Sequence, residues 1–187
     1  ISTDMPVTAN AAQTKFGGET DAILTVFDIT KPPAQQLVYS TYLGGSNPDV
    51  ALDLAEDAVG GIYLVGYTQS TDFPATAGAM QSNYGGGGAD AFLARIDPTL
   101  ASGTLTYGTY IGGPGYSIAY GIAVDGSGNL YLAGSTTTTV LGDLNGGLRV
   151  AAAGGADVFL LKIRPDQATP AESARLRRAA DRGLPRR

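Results

Sequence analysis

Residues 105–136 read LTYGTYIGGPGYSIAYGIAVDGSGNLYLAGST, and residues 37–68 read LVYSTYLGGSNPDVALDLAEDAVGGIYLVGYT. The two stretches align without a gap at a spacing of 68 residues and are identical at fourteen of 32 positions. Self-similarity at a fixed period is typical of repeat architectures, in which each unit stacks on its neighbours. The sequence therefore predicts a repeat protein.

The same period extends to both sides of this pair. Residues 6–28 align with residues 74–97 with one gap, and residues 154–163 are a weaker third copy. The equivalent aspartates lie 69 and 67 residues apart, at Asp21, Asp90 and Asp157. The chain therefore divides into the outer half of a preceding unit (1–36), a first full period (37–104), a second period without its last strand (105–165) and a basic tail (166–187).

Each full period is predicted to form four strands and the fold to be all-β. The strands of the middle copy are expected at 50–56, 62–68, 90–97 and 104–111, and those of the last copy at 118–124, 130–135 and 157–163. Val50, Leu52 and Leu54 alternate with smaller or polar residues, which predicts that they form one buried face.

The missing fourth strand of the last copy leads to a further expectation. Phe159 and Leu161 should be incompletely covered, so the isolated chain should associate or be only marginally stable.

The composition of the chain excludes several kinds of catalytic and metal-binding site. The chain has no histidine and no cysteine, which excludes a Ser-His-Asp triad, disulfides and thiolate metal sites. The net charge of −5 combines an acidic body with an arginine-rich end. An acidic body argues against nucleic-acid binding, and no apolar run is long enough to span a membrane. The chain begins at Ile1 without a signal-peptide pattern, so we expect a mature or excised segment.

The basic tail has a helix pattern of its own. Thr169-Pro170-Ala171-Glu172 is a capping-box sequence, and Gly183 followed by Pro185 is a stop signal, which together predict a short helix near 170–182. The tail could contact nucleic acid or anionic lipid, act as a linker, or be a non-native ending.

Several motifs recur in order along the chain. They are YSTYLGG (39–45), STDFP (70–74), YGGGGADAFLARIDP (84–98), YGTYIGG (107–113) and AVDGSGNLYLAGST (123–136). These motifs resemble the bacterial seven-bladed β-propeller (SBBP) repeat family, which is related in pattern to NHL propeller repeats. The resemblance covers roughly residues 5–165. The glycine loops at 46–49 and 114–117 depart from the family's acidic, glycine-rich pattern.

The resemblance implies four-stranded antiparallel blades in an incomplete ring. It also implies a secreted or cell-surface bacterial protein. Because a blade cannot bury both faces alone, further blades of a parent chain are expected partners. A fragment of a longer propeller is the favoured interpretation, while an assembly of copies and an open stack remain alternatives.

Two segments have the outline of calcium sites. Residues 85–92 match one calcium-binding nonapeptide, but a β-roll repeats that unit every nine residues. We therefore interpret Asp90 as a residue that bonds the backbone of the glycine turn. Residues 125–129 begin like an EF-hand loop, but Leu130 and Thr136 stand where that loop needs Gly and Glu. We interpret this segment as a hairpin loop and predict no metal and no cofactor.

Nothing in the sequence identifies a catalytic residue. The glycines of 112–117 lack the spacing of a phosphate-binding loop. Nothing distinguishes carboxylate pairs such as Glu56/Asp57 or Asp49/Asp53 from chance neighbours in an acidic chain.

Propeller topology places several loops on one face. The insertions 69–89 and 136–156 and the glycine loops 44–49 and 112–117 should lie together there. Phe73, Tyr84 and Tyr116 are its candidate ligand-binding aromatic residues, because binding residues tend to lie on loops that a rigid scaffold holds.

We therefore predict a non-enzymatic structural or interaction module that presents its loop face to a protein or a carbohydrate. The alternative is part of a propeller hydrolase or lyase that acts on polysaccharide with catalytic residues outside this segment. A third interpretation, calcium-stabilised adhesion, predicts that calcium raises the melting temperature.

Overall fold

A computed structural model describes residues 3–102, 104–138, 141 and 155–164. The regular elements of these residues are strands apart from one 3₁₀ turn (Pro33–Gln35), so the all-β prediction is confirmed. The strands are β1 (Ala22–Phe27), β2 (Leu37–Leu43), β3 (Asp49–Glu56), β4 (Ile62–Thr68), β5 (Asp90–Ile96), β6 (Leu105–Ile111), β7 (Ser117–Val124), β8 (Leu130–Thr136) and β9 (Asp157–Ile163).

The predicted strands agree with these bounds to within one residue at either end. The helix expected at 170–182 and most of the loop 136–156 lie outside the described residues. No helix in the part of the chain that the structure describes has the length and hydropathy of a membrane span.

The strands form three antiparallel sheets, each built from consecutive strands. The first sheet is β1-β2, the second is β3-β4-β5-β6 and the third is β7-β8-β9. The first strands of the second and third sheets carry equivalent register shifts, between Ala51 and Asp53 and between Ala119 and Gly121. The repeat in sequence is therefore a repeat in backbone structure as well.

The sequence period and the sheets are offset by one strand. The first full period begins with β2, which is the last strand of the first sheet, and continues with β3, β4 and β5 of the second sheet. The glycine pairs Gly44-Gly45 and Gly112-Gly113 lie where the chain leaves one sheet and enters the next. One 68-residue period therefore always links two neighbouring sheets.

The second sheet is packed on both faces. Leu64, Phe92 and Ile96 belong to a core cluster shared with the first sheet, which includes Leu24 and Tyr39. The alternate residues of the same strands, such as Val65 and Leu93, form a second cluster with Leu132 and Phe159 of the third sheet. Successive side chains of a strand point to opposite faces, so a sheet with two neighbours needs apolar residues at nearly every position.

The prediction that Leu52 and Leu54 are buried is wrong, since both are exposed. Asp53 points toward the third sheet, where it accepts a hydrogen bond from Ile122, so Leu54 lies on the side of the first sheet. Within the described ranges the first sheet holds two strands, β1 and β2, and neither covers this position. Ile122, the counterpart of Leu54 one period later, packs against the complete second sheet and is partly buried.

The prediction for Phe159 and Leu161 is also wrong, because both are buried in the cluster shared with the second sheet. The exposed apolar residues of β9 are the alternate ones, Val158 at 81% and Leu160 at 70%. In the described residues no fourth strand pairs with β9. A missing strand opens the edge of a sheet, whereas the burial of a face depends on the neighbouring sheet.

Candidate functional site

The loops at one end of the sheets contact one another. In the first glycine loop, the N–H of Ser46 donates to Oδ1 of Asp72 at 2.8 Å and the N–H of Asn47 donates to Oγ of Ser70 at 2.9 Å. In the second glycine loop, the N–H of Tyr116 donates to Oγ1 of Thr137 at 2.9 Å. Each glycine loop is thus hydrogen-bonded to the loop that follows the second strand of the next sheet. We call the surface formed by 44–49, 69–89, 112–117 and 137–138 the loop face.

Below this surface, Asp90 holds the glycine turn in place. Its Oδ2 accepts the N–H of Gly85 at 2.5 Å and Nε2 of Gln81 at 3.2 Å. Oε1 of Gln81 accepts the N–H of Gly112 at 3.0 Å. One side-chain pair thereby joins the glycine turn, β5 and the second glycine pair. The interpretation of Asp90 as a residue that bonds the turn backbone is confirmed.

The same network recurs one period earlier. Oδ2 of Asp21 accepts the N–H of Gly17 and Nε2 of Gln13, both at 2.8 Å, and Oε1 of Gln13 accepts the N–H of Gly44 at 3.0 Å. The role of Gln13 was not predicted from the sequence, although its alignment with Gln81 in the repeat indicates that the two glutamines are equivalent.

A third buried carboxylate belongs to the first glycine loop. Asp49 opens β3, and its Oδ2 accepts the N–H of Gly45 at 2.7 Å and the hydroxyl of Ser70 at 2.8 Å. Burial raises the pKa of Asp21, of Asp49 and of Asp90, the last to about 6. Because all three carboxyl groups are buried, they are not accessible to a substrate in this structure. They act on the loops rather than on a ligand in solution.

Phe73 does not lie on the surface of the loop face. Its ring centroid is 4.7 Å from that of Phe92 and 5.8 Å from that of Tyr110, and its side chain is buried in the cluster between the first two sheets. The loop after β4 turns back over the sheet, which inserts this side chain into the core. Phe73 is a packing residue in this structure.

Tyr84 and Tyr116 meet at the glycine turn 85–88. The hydroxyl of Tyr84 donates to the carbonyl of Gly87 at 3.2 Å, and burial raises the pKa of Tyr84. The ring of Tyr116 lies so close to Gly88 that a β carbon there would be 2.0 Å from Cζ of the ring. Tyr116 is 53% exposed. The structure therefore brings these two candidates together, and their role in binding stays a prediction.

The segment 125–129 is a hairpin loop, as predicted. Oδ1 of Asp125 accepts the N–H groups of Ser127 and Asn129, both at 2.9 Å, and Gly128 takes a φ of +79°. Hydrogen bonds, first that of the Asn129 side chain, lower the pKa of Asp125 to about 2. Asp57 closes the equivalent hairpin of the second sheet through the N–H groups of Val59 and Gly61.

The carboxylate pairs named in the sequence, Asp49/Asp53 and Glu56/Asp57, do not face a common site. Asp49 points into the first glycine loop, whereas Asp53 bonds Ile122 of the third sheet. Asp57 pairs with Arg95, with Oδ2 and Nη2 at 2.8 Å, and the exposed Glu56 precedes it on β3. Within the described ranges, no group of three His, Cys, Asp or Glu side chains is placed to hold a metal ion.

Antiparallel meander sheets that repeat with a period of 68 residues and stack face to face define a β-propeller type of protein. The SBBP family model, described as a β-propeller repeat, matches two segments of the chain, residues 38–74 and 106–142. Each match runs from the last strand of one sheet into the first two strands of the next. A comparison with curated proteins finds no match to the chain.

Proposed function

We propose that this chain is a stacking segment of a larger β-propeller, with a further blade packed on each of its two outer sheets. Exposed apolar residues on β9 are the observation that carries the proposal. Val158 and Leu160 are 81% and 70% exposed, while their counterparts one period earlier, Ala91 and Leu93, are fully buried. Ala91 and Leu93 are buried because the third sheet covers them. A further blade would cover Val158 and Leu160 in the same way.

The opposite end of the segment follows the same rule. On β1, Ile23 and Phe27 are exposed, and their counterparts Phe92 and Ile96 on β5 are fully buried. The first sheet covers Phe92 and Ile96, and a preceding blade would cover Ile23 and Phe27. Both outer faces therefore present the side chains that the repeat uses for stacking inside the segment.

In the same proposal, the module is non-enzymatic, and its loop face binds a protein or a carbohydrate. The absence of histidine and cysteine from the sequence and the burial of the three perturbed carboxyl groups support a role without catalysis. Tyr116 offers an exposed ring beside the polar loop residues, which suits contact with a sugar ring or a peptide. We further propose a secreted or cell-surface bacterial parent, on the basis of the family resemblance.

The stacking proposal is tested by changing the exposed face of β9. Light scattering coupled to size exclusion should show that the chain associates as its concentration rises. The double variant Val158→Ser/Leu160→Ser should reduce association and leave the melting temperature within a few degrees of the parent.

Phe159→Ser, on the buried face of the same strand, is the matched control. It should lower stability by about 3–5 kcal/mol, because it empties a core position. A double variant that associates as strongly as the parent, or that loses as much stability as Phe159→Ser, would rule out the stacking role of this face.

Binding by the loop face is tested with a panel of polysaccharides immobilised as an array. Tyr116→Ala should weaken binding, whereas Tyr120→Ala should not, since Tyr120 lies on β7 at a similar exposure of 56%. Binding that Tyr116→Ala leaves unchanged would remove Tyr116 from the site. Binding lost equally in both variants would point away from the loop face.

A further inference from the structure

Within the described residues, the third sheet has no counterpart of β6, the fourth strand of the second sheet. β9 pairs with β8 in the same register in which β5 pairs with β4. On its other side β5 pairs with β6, whereas the described part of the chain places no strand beside β9. The edge of a sheet presents a row of unpaired backbone N–H and C=O groups. We call this outer side of β9 the acceptor edge.

The side chains around the acceptor edge copy those of a sheet that has its fourth strand. Nζ of Lys162 lies 4.9 Å from the ring centroid of Tyr131. The equivalent pair of the second sheet is Arg95 over Tyr63, at 5.6 Å, and Arg95 lies opposite Tyr107 of β6. β9 contains no proline and no register shift relative to β8, two features that commonly protect an edge from further pairing. The acceptor edge therefore keeps the geometry that receives a fourth strand.

The fourth strands of the first two sheets share one sequence motif, Tyr-x-Thr-Tyr-x-Gly-Gly, at residues 39–45 and 107–113. We call a segment with this motif a motif strand. β2 pairs with β1 in the same register in which β6 pairs with β5, and both pairings shift at the same place, Val26/Phe27 and Arg95/Ile96. Two copies of one sequence therefore occupy the position that corresponds to the acceptor edge of the third sheet.

The residues of a motif strand also bind the loop that covers its outer edge. In the second sheet the hydroxyl of Tyr107 accepts the N–H of Met80 at 3.1 Å. Oγ1 of Thr109 accepts the N–H of Gln81 at 2.9 Å, and the N–H of Tyr110 donates to the carbonyl of Gln81 at 3.1 Å. The first sheet repeats all three bonds one period earlier. A complete sheet of this repeat therefore has no open edge on this side.

The sequence does not supply a motif strand at the next period. The residues that follow 107–113 by 68 positions are 175–181, and they read RLRRAAD. Arginine stands at the positions of Tyr107, Thr109 and Tyr110, and neither glycine of the pair is retained. Arginine has no acceptor atom, so it cannot replace the hydroxyl groups of the motif. Since both motif strands of this sequence are already paired, a motif strand for the acceptor edge comes from outside it.

We propose that the acceptor edge binds a motif strand of a second polypeptide, added antiparallel to β9. In this mode of peptide recognition, main-chain hydrogen bonds supply the affinity and alternate side chains supply the specificity. The register of β5 and β6 places Val158 opposite the isoleucine or leucine of the motif, Leu160 opposite its threonine and Lys162 opposite its first tyrosine. The inference rests on the proposed function, because both treat the chain as part of a larger propeller. It differs in that it concerns an edge rather than an outer face.

The test combines the full chain with a synthetic, fluorescently labelled peptide of residues 104–113, TLTYGTYIGG. Fluorescence anisotropy should show saturable binding of one peptide per chain. A peptide of the same composition in scrambled order is the matched control. It should bind at least about tenfold more weakly, because it loses the cross-strand pairs of the motif register.

Hydrogen exchange locates the bound peptide. The peptide should slow the exchange of backbone amides in β9, where the new pairing forms. It should leave β6 unchanged, because β6 is paired with β5 on one side and covered by a loop on the other. Slower exchange confined to any other strand would overturn the inference.

The double variant Val158→Ser/Leu160→Ser separates the acceptor edge from the outer face of the same strand. It changes side chains of the face and keeps the backbone of β9, so it should weaken peptide binding by about tenfold at most. Peptide binding that disappears in this variant would place the peptide on the outer face and overturn the inference.

The inference is equally overturned if the full chain does not bind the peptide, or if the scrambled peptide binds as strongly. Both results leave the stacking proposal intact. Specific peptide binding together with self-association that the double variant does not reduce would instead contradict the stacking proposal alone.

Discussion

The carboxylate of Asp53 and the backbone N–H of Ile122 are joined across two sheets at a distance of 2.8 Å. Each residue lies on the first strand of its sheet, β3 and β7, and therefore at an edge beside which the described residues place no further strand. The free N–H of an edge strand needs a partner or water. Asp53 supplies that partner, so this bond fixes one sheet against the next.

Replacement of Asp53 by alanine should lower the free energy of unfolding by about 1–3 kcal/mol, because the N–H of Ile122 loses its acceptor. Asp53→Asn keeps an acceptor and should lose less. Glu56→Ala, an exposed carboxylate on the same strand, is the control and should be nearly neutral. Urea denaturation measures all three. Equal losses for Asp53→Ala and Glu56→Ala would show that the bond does not contribute to stability.

The ion pair of Asp57 and Arg95 should contribute more to the free energy of unfolding than the hairpin loop that Asp57 also closes. Their side chains are only 9% and 11% exposed, and removal of one partner from a buried pair typically costs about 3–5 kcal/mol. Asp57→Ala should therefore be more destabilising than Asp125→Ala, which opens the equivalent hairpin without unpairing an arginine. Addition of Arg95→Met to Asp57→Ala should restore part of the loss. Additive losses in the double variant would contradict this account.

Stability should fall as the pH rises from about 4 to about 6. Burial raises the pKa of Asp90 to about 6 from an ordinary value of 3.8, so in this window the folded chain holds a proton that the unfolded chain has released. The contribution of Asp90 to stability is fully present at pH values below the pKa of the unfolded state. It is lost as the pH rises through the pKa of the folded state. It is on the order of 1–3 kcal/mol.

Asp90→Asn should reduce this dependence without abolishing it, because the raised pKa values of Asp21 and Asp49 act in the same sense. Urea denaturation at several pH values measures the slope for both proteins. The lowered pKa of Asp125 acts in the opposite sense, but only at pH values below 3.8. A slope that rises with pH between 4 and 6, or that is unchanged in Asp90→Asn, would disprove the assignment to this carboxyl group.

Gly112→Ala should be destabilising by about 1–3 kcal/mol, because a β carbon there would lie 2.1 Å from Oδ1 of Asp90 and the buried carboxylate has little freedom to move. Gly126→Ala is the matched control, since nothing lies within 4 Å of its β carbon. Thermal melts of the two variants measure this difference in stability. A Gly112→Ala protein as stable as Gly126→Ala would mean that the junction rearranges freely.

Strand positions were predictable because the repeat aligns two copies of every pattern, and turn glycines separate the strands. Burial was not predictable in the same way. Leu54 and Phe159 both sit in alternating apolar patterns, yet Leu54 is exposed and Phe159 is buried. The difference depends on which neighbouring sheet is present, and no local pattern records that.

The site shows the same division between local and distant information. The bond from Asp90 to the glycine turn spans five residues and could be predicted from the segment itself. The approach of Asp21 and Asp49 to Gly44 could not be predicted, because one residue precedes the first sheet and the other opens the second. The sequence predicts Phe73 on the loop face because propeller topology places the whole insertion 69–89 there. The return of this loop over the core, which buries Phe73, is not visible in the sequence.

The offset between the sequence period and the sheets has an evolutionary consequence. Because each 68-residue unit contributes the last strand of one sheet and the first strands of the next, a duplication or deletion of one unit leaves every junction between sheets unchanged. The breakpoint can fall anywhere in the period, including inside a strand. Genes that encode such arrays can therefore gain or lose whole blades by recombination between copies, while each surviving blade remains a composite of two adjacent units.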